Sequence, residues 1–93
     1  MSYELNFLEE ALEEWKKLNP SIKQPLKKKL MRVLENPRIP NNKLSGHPNR
    51  YKIKLRSAGY RLVYEVMDYE VVVLVIAVGR RENNAVYNTA SSR

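Results

Sequence analysis

Arg50-Tyr51-Lys52-Ile53-Lys54-Leu55-Arg56, then Ser57-Ala58-Gly59, then Tyr60-Arg61-Leu62-Val63-Tyr64-Glu65-Val66-Met67 reads as two β-strands joined by a turn. Side chains on a strand alternate between faces. Tyr51, Ile53 and Leu55 therefore share one face, and Arg50, Lys52, Lys54 and Arg56 share the other. In the second strand, Tyr60, Leu62, Tyr64 and Val66 oppose Arg61, Val63, Glu65 and Met67. Burial of the apolar faces fixes the register, because opposing residues must share a face. The expected pairing sets Leu55 opposite Leu62, Ile53 opposite Tyr64 and Arg56 opposite Arg61, with Lys54 beside Val63 and Lys52 beside Glu65. One face is ready for a core, while the other is a row of cations that repel one another and add nothing to packing. A polyanion would make such a row favourable.

Working outward, Asp68-Tyr69 turns the chain. Residues 70–78 are nearly all apolar and β-branched, as expected of a central strand covered on both faces, and Gly79 is expected to end it. Arg80-Arg81-Glu82 leads into a tail of one or two helical turns holding Val86 and Tyr87. Upstream, residues 36–49 carry Pro37, Pro40, Asn41-Asn42, Gly46 and Pro48 and read as a loop. Ile22, Leu26, Leu30, Val33 and Leu34 form the stripe of a helix ending near Glu35, with Ser21 and Gln24 spaced for a capping box. Leu8, Ala11, Leu12, Trp15 and Leu18 mark an earlier helix over 8–18, broken by Asn19-Pro20, and Tyr3, Leu5 and Phe7 alternate as a short first strand. The expected fold is α+β: one small domain over residues 1–93, in the order β-α-α-β-β-β with a helical tail. A helical hairpin covers one face of an antiparallel sheet. The other face presents Lys52, Lys54 and Arg61, joined by Arg81.

The 93 residues are 43% hydrophobic, enough for one modest core. The absence of cysteine rules out disulfides and thiol chemistry and fits a reducing compartment. The start lacks the pattern of a signal peptide, and Val71–Val78 is far short of the ~20 residues of a membrane span, so the expected location is the cytoplasm, with no membrane partner. Charge is unevenly placed. Residues 1–14 hold five acids and no Lys or Arg, and the remainder carries all 17 basic side chains against five acids, a local balance of +12. That favours nucleic acid or an acidic protein as partner.

The lone histidine, His47, stands in a Gly/Pro loop, which excludes a two-histidine acid–base pair. No glycine-rich phosphate loop, zinc spacing or carboxylate cluster is present, so no metal or cofactor is expected. A cationic site can still cut RNA. A base must take the 2′-hydroxyl proton, cations must stabilise the phosphorane, and the 5′-oxygen must leave. The charges of Arg56 and Arg61 should lower the pKa of Lys54. Arginine suits a phosphate clamp and tyrosine a base stack. From pattern alone, the same residues also read as exposed charges on a sheet, with Glu65 paired to Lys52, and Lys27-Lys28-Lys29 read as solvated helix surface.

Tyr51-Lys52-Ile53-Lys54-Leu55-Arg56, Gly59-Tyr60-Arg61-Leu62-Val63-Tyr64 and Val78-Gly79-Arg80-Arg81-Glu82 with Tyr87 resemble the RelE family of toxins from bacterial toxin–antitoxin modules. The resemblance extends to Ala11–Leu18, Leu26–Leu30 and Asn36–Ile39. It implies a RelE-like, microbial-RNase-like fold and a metal-free endoribonuclease that cuts messenger in the ribosomal A site, leaving a 2′,3′-cyclic phosphate. Carried over, Lys52 and Lys54 activate the nucleophile and hold the scissile phosphate, Arg61 stabilises the transition state, Arg81 assists the leaving group and Tyr87 stacks on or orients the substrate. Lys27, Lys28, Lys29, Lys43, Arg50, Arg56 and Arg80 are the expected contacts to RNA and ribosome. The implied partners are a RelB-like antitoxin and the 70S ribosome with its messenger and ribosomal RNA, with operator DNA a further ligand of the toxin–antitoxin complex. Ser45 departs from the pattern, standing where close relatives carry arginine. Two other functions fit parts of the sequence: a ParE-type gyrase inhibitor, which has no need of Lys52, Lys54, Arg81 and Tyr87 together, and a plain RNA-binding module.

Overall fold

The computed structural model describes residues 2–93. Strand β1 (Glu4–Phe7) leads into helices α1 (Glu9–Lys16) and α2 (Pro20–Glu35), followed by strands β2 (Arg50–Leu55), β3 (Tyr60–Met67) and β4 (Val72–Arg80) and helix α3 (Ala85–Ser91). The sheet order is β1-β4-β3-β2. It is mixed, where the sequence leads one to expect an antiparallel sheet, because β1 runs parallel to β4. In the β2-β3-β4 meander direction alternates, so β4 runs as β2 does. The helical hairpin carries the chain across one face and delivers β2 in the direction of β1. Such a parallel return needs a long crossover.

The cap of α2 lies two residues earlier than the expected Ser21. Asn19 is the cap, its side chain accepting from the Ser21 N–H at 3.0 Å, and Pro20 takes the first helical position, where no donor is lost. Ala11, Leu26, Leu30 and Val33 face Tyr51, Ile53, Leu55, Leu62, Tyr64, Val66, Val73, Val75 and Val78 in the main core. A smaller core lies on the other face, where Val86 and Ala90 of α3 cover Val63, Ile76 and Ala77. The central strand is thus covered on both faces, as its unbroken apolar run demands.

The β2–β3 register differs from expectation by two residues. Leu55 pairs Tyr60, Lys54 pairs Arg61, Ile53 pairs Leu62 and Tyr51 pairs Tyr64. The turn explains the shift. Arg56–Ala58 form a 3-10 turn and Gly59 closes it at φ 67°, so Arg56 lies outside the ladder. A two-residue shift keeps every face, so the core and the cationic row survive it. Strand β4 runs past Gly79 to Arg80 and carries a bulge. Val63 pairs Ala77 and Tyr64 pairs Val75, which leaves Ile76 as the extra residue. The bulge reverses the facing of the residues after it. Gly79, opposite Arg61, lies on the cationic face, and Arg81 comes after it there.

Tyr64 is fully buried, stacks on Tyr51 at 5.6 Å between ring centroids and donates its hydroxyl to the Pro37 carbonyl at 2.7 Å. This ties the long 36–49 loop to the core. Tyr64→Phe should keep the packing but leave that carbonyl unpaired, a loss of about 1–2 kcal/mol. In a domain this small, thermal denaturation should show a Tm lower by roughly 5–10 °C. An unchanged Tm would mean that water replaces the bond.

Candidate active site

Lys52 and Lys54 project from β2, Arg61 from its partner β3, and Arg81 from the segment after β4. Together with Leu44, Arg56, Asn84, Tyr87 and Asn88 they line a cleft of ≈ 780 Å3. The five candidate catalytic residues therefore meet in one place, roofed by α3. Two backbone features hold the rim. The Arg81 N–H donates to the carbonyl of Gly59 at 2.9 Å, pinning the end of β4 to the β2–β3 turn. Asn83 and Asn84 both take positive φ (53° and 56°), a conformation asparagine tolerates better than most residues, and so swing α3 back over the sheet.

Arg61 is buried, at 7% exposure. One terminal nitrogen donates to the Tyr60 carbonyl at 2.8 Å, and its Nε has no hydrogen-bond partner among the described residues. No carboxylate pairs with it among those residues. A buried guanidinium in this condition is costly and ready for an anion. The Lys54 ammonium is held below the usual lysine range, mainly by the charge of Lys52. Arg56, desolvation, Arg61 and Arg81 add to the shift. The expectation from sequence assigned this effect to the two arginines alone. The larger neighbour is on the same strand, two residues away.

The expected RNA and ribosome contacts are more scattered. Arg56 lines the cleft. Lys27 and Lys28 are exposed on α2, whereas Lys29 donates its ammonium to the Lys54 carbonyl at 2.7 Å. Lys43 lies in the 43–48 loop beside the cleft. Arg80 sits outside it, with its guanidinium 5.3 Å from the Tyr60 ring centre. Arg50 is tied down: its Nε bonds Glu65 Oε1 at 2.9 Å and a terminal nitrogen donates to the Ala90 carbonyl at 2.7 Å. Glu65 therefore pairs with Arg50, not with Lys52, because the two-residue register shift sets those two opposite each other. Leu44, Asn84 and Asn88 also line the cleft, and sequence reasoning misses them. Asn84 and Asn88 lie far from the cationic strand in sequence, Leu44 stands in the loop just before it, and their residue types carry no pattern. Among the described residues no group of three or more His, Cys, Asp or Glu could hold a metal ion.

Residues 5–85 match the family described as the ParE toxin of the type II toxin–antitoxin system parDE. The "mRNA interferase toxin RelE" of Escherichia coli K12 is 59% identical over 93 residues, covering 100% of this chain and 98% of that protein. The chain is a RelE-family toxin. The mRNA interferase RelE of Shigella flexneri is equally similar. A free double-arginine variant of E. coli RelE superposes with a TM-score of 0.92 at 58% identity, covering 100% of this chain and 98% of that one. RelE in the intact E. coli RelBE toxin–antitoxin complex superposes at 0.84 with 60% identity, covering 87% of this chain and 99% of that one. The RelE fold places the cleft on the sheet face that α3 partly covers. No helix among the described residues is long and apolar enough to cross a membrane.

Proposed function

We propose that this protein is a messenger RNA endoribonuclease that works in the A site of the 70S ribosome, by attack of the 2′-hydroxyl on the adjacent phosphate. The carrying observation is the cleft itself, with two lysines, a buried unpaired arginine, a second arginine and a tyrosine converging. The RelE name of relatives at 59% identity supports it. Lys54, more easily deprotonated than an ordinary lysine, takes the 2′-hydroxyl proton. Lys52 and Arg61 hold the scissile phosphate and the charge that grows on it. The P–O5′ bond breaks as the new P–O2′ bond forms, giving a 2′,3′-cyclic phosphate. Arginine stays charged at any working pH, so Arg81 offsets the negative charge on the leaving oxygen, which takes its proton from solvent. Tyr87 stacks on a base and fixes the strand. A cleft lined by cations repels a metal ion, so the chemistry runs without one.

The ribosome supplies alignment that so open a cleft lacks, and alignment lowers the barrier by several kcal/mol. Exposed Lys27 and Lys28 and the nearby Lys43 and Arg56 meet ribosomal RNA or messenger. Arg50 and Lys29 have internal partners and contribute through structure. A RelB-like acidic antitoxin restrains the enzyme in the cytoplasm, and the complex of the two engages operator DNA. Naked RNA and programmed 70S complexes incubated with the protein should differ, with cleavage confined to the A-site codon. Equal cutting of both would sink the proposal.

The family match under the ParE name favours a second reading, a non-enzymatic block of DNA gyrase. That activity gives no reason to gather Lys52, Lys54, Arg81 and Tyr87 in one cleft. Arrested cells should contain truncated messages; intact messages with an SOS response would favour the gyrase reading.

A further inference from the structure

Strand β1 pairs with β4 only as far as Phe7 against Val75. From Ile76 onward that edge of β4 has no strand beside it among the described residues, and the bulge falls at this point. Side chains fill the gap. The Val78 N–H donates to Glu14 Oε1 at 3.1 Å. Arg93 donates to both Glu14 oxygens, at 2.9 and 3.0 Å, and to the Ile76 carbonyl at 3.0 Å. Both side chains are largely withdrawn from solvent, at 16% and 31% exposure. One ion pair thus grips three elements: α1 through Glu14, the bulged edge of β4 through its two freed backbone groups, and the segment after α3 through Arg93. None of these atoms lines the cleft.

The elements gripped are those that set two of the cleft's functional side chains. The bulge decides which face Arg81 takes. Helix α3 carries Tyr87, has seven residues and buries only Val86 and Ala90. So short a helix is marginal without tertiary ties. We infer that Glu14 and Arg93 form a positioning clamp for the reaction, holding α3, and with it Tyr87, over the cleft from the open edge of β4. This rests on the proposed nuclease function for its kinetic reading, but not for its structural one. A bidentate arginine–carboxylate pair is both stronger and more directional than a lysine contact. Arg93→Lys should therefore fail to restore what Arg93→Gln removes.

The test uses Glu14→Gln, which keeps an oxygen for the Val78 N–H and loses the charge, alone and combined with Tyr87→Ala. Amide exchange of residues 85–92 should quicken by ~10-fold, the order expected for losing one charge-assisted pair. The single-turnover rate on programmed ribosomes should fall ~3-fold or more when Tyr87 is present, and stay within about 1.5-fold when Tyr87 is already alanine, as shared action requires. Unchanged exchange overturns the clamp, whatever cleavage does. Faster exchange with the same rate loss in both backgrounds overturns the positioning role and leaves Glu14 a stability residue. If the wild-type protein cuts nothing, the nuclease reading has failed. Exchange in Glu14→Gln then decides whether the clamp holds α3.

Discussion

Lys54→Arg is expected to slow messenger cleavage by ~10²–10³-fold, the range a lost general base accounts for. The substitution keeps the positive charge and a side chain of similar reach, so the phosphate contact survives while proton abstraction does not. The pH dependence separates the two. A base must be deprotonated to act, and the charge of Lys52, aided by Arg56, Arg61 and Arg81, makes Lys54 shed its proton at lower pH than an ordinary lysine. The wild-type rate should therefore climb with pH and level off once Lys54 is neutral, at a pH below the ordinary lysine value. The Lys54→Arg rate should lack that climb. Arg56→Gln removes a like charge from the rim, so the Lys54 pKa should rise and the climbing limb should move to higher pH. A Lys54→Arg enzyme within tenfold of wild type, with the same limb, would remove Lys54 from the role of base.

Arg81→Ala should cost ~10²-fold or more in single-turnover cleavage, the scale of a lost charge stabiliser at a developing anion. Binding to ribosomes should change far less, since the other cations remain. Arg81 sits at the rim, held by its own backbone bond to Gly59 and not by its side chain, so the truncation leaves the fold intact. Arg81→Lys should recover part of the rate, because the proposed role is charge and not a fork. A rate for the alanine variant within about threefold of wild type would mark Arg81 as surface charge alone.

Strands β1 to β3 and helices α1 and α2 are legible in the sequence because each has its own period, and β4 because of its unbroken apolar run. The cationic row is legible because period 2 separates Lys52 and Lys54 from Ile53 and Leu55 with no structure needed. The register is legible only in its parity. Tyr51 opposite Tyr64 and Ile53 opposite Tyr64 both bury the same faces, and the choice belongs to the 3-10 turn at Arg56–Ala58, whose residues also suit a strand end. The direction of β1 is not legible either. Tyr3, Leu5 and Phe7 give a facing, while parallel or antiparallel pairing depends on which edge the helical hairpin leaves open. The bulge at Ile76 hides inside a run of Val, Leu, Ile and Ala where every residue is apolar, so a reversal of facing leaves no trace in hydropathy. In the site, the charged members announce themselves by type. Asn84 and Asn88 reach the cleft because α3 folds back across the sheet, a long-range event that two asparagines at positive φ make possible, and Leu44 is held beside β2 by its N–H donating to the Arg50 carbonyl at 2.9 Å. Arg50 looks like a free cation in the sequence because its partners, Glu65 and the Ala90 carbonyl, are 15 and 40 residues away in the chain.

Parallel pairing of the first strand with the last also orders events during synthesis. Glu4 meets Val72, so the first strand to leave a ribosome has nothing to lie against until the last strand has emerged. The groups that finish the cleft are later still: Arg81, then Tyr87, then Arg93 of the clamp. Birth and competence are therefore separated in time. The cleft of the proposed nuclease is complete only after the ribosome making it has read this sequence as far as these residues.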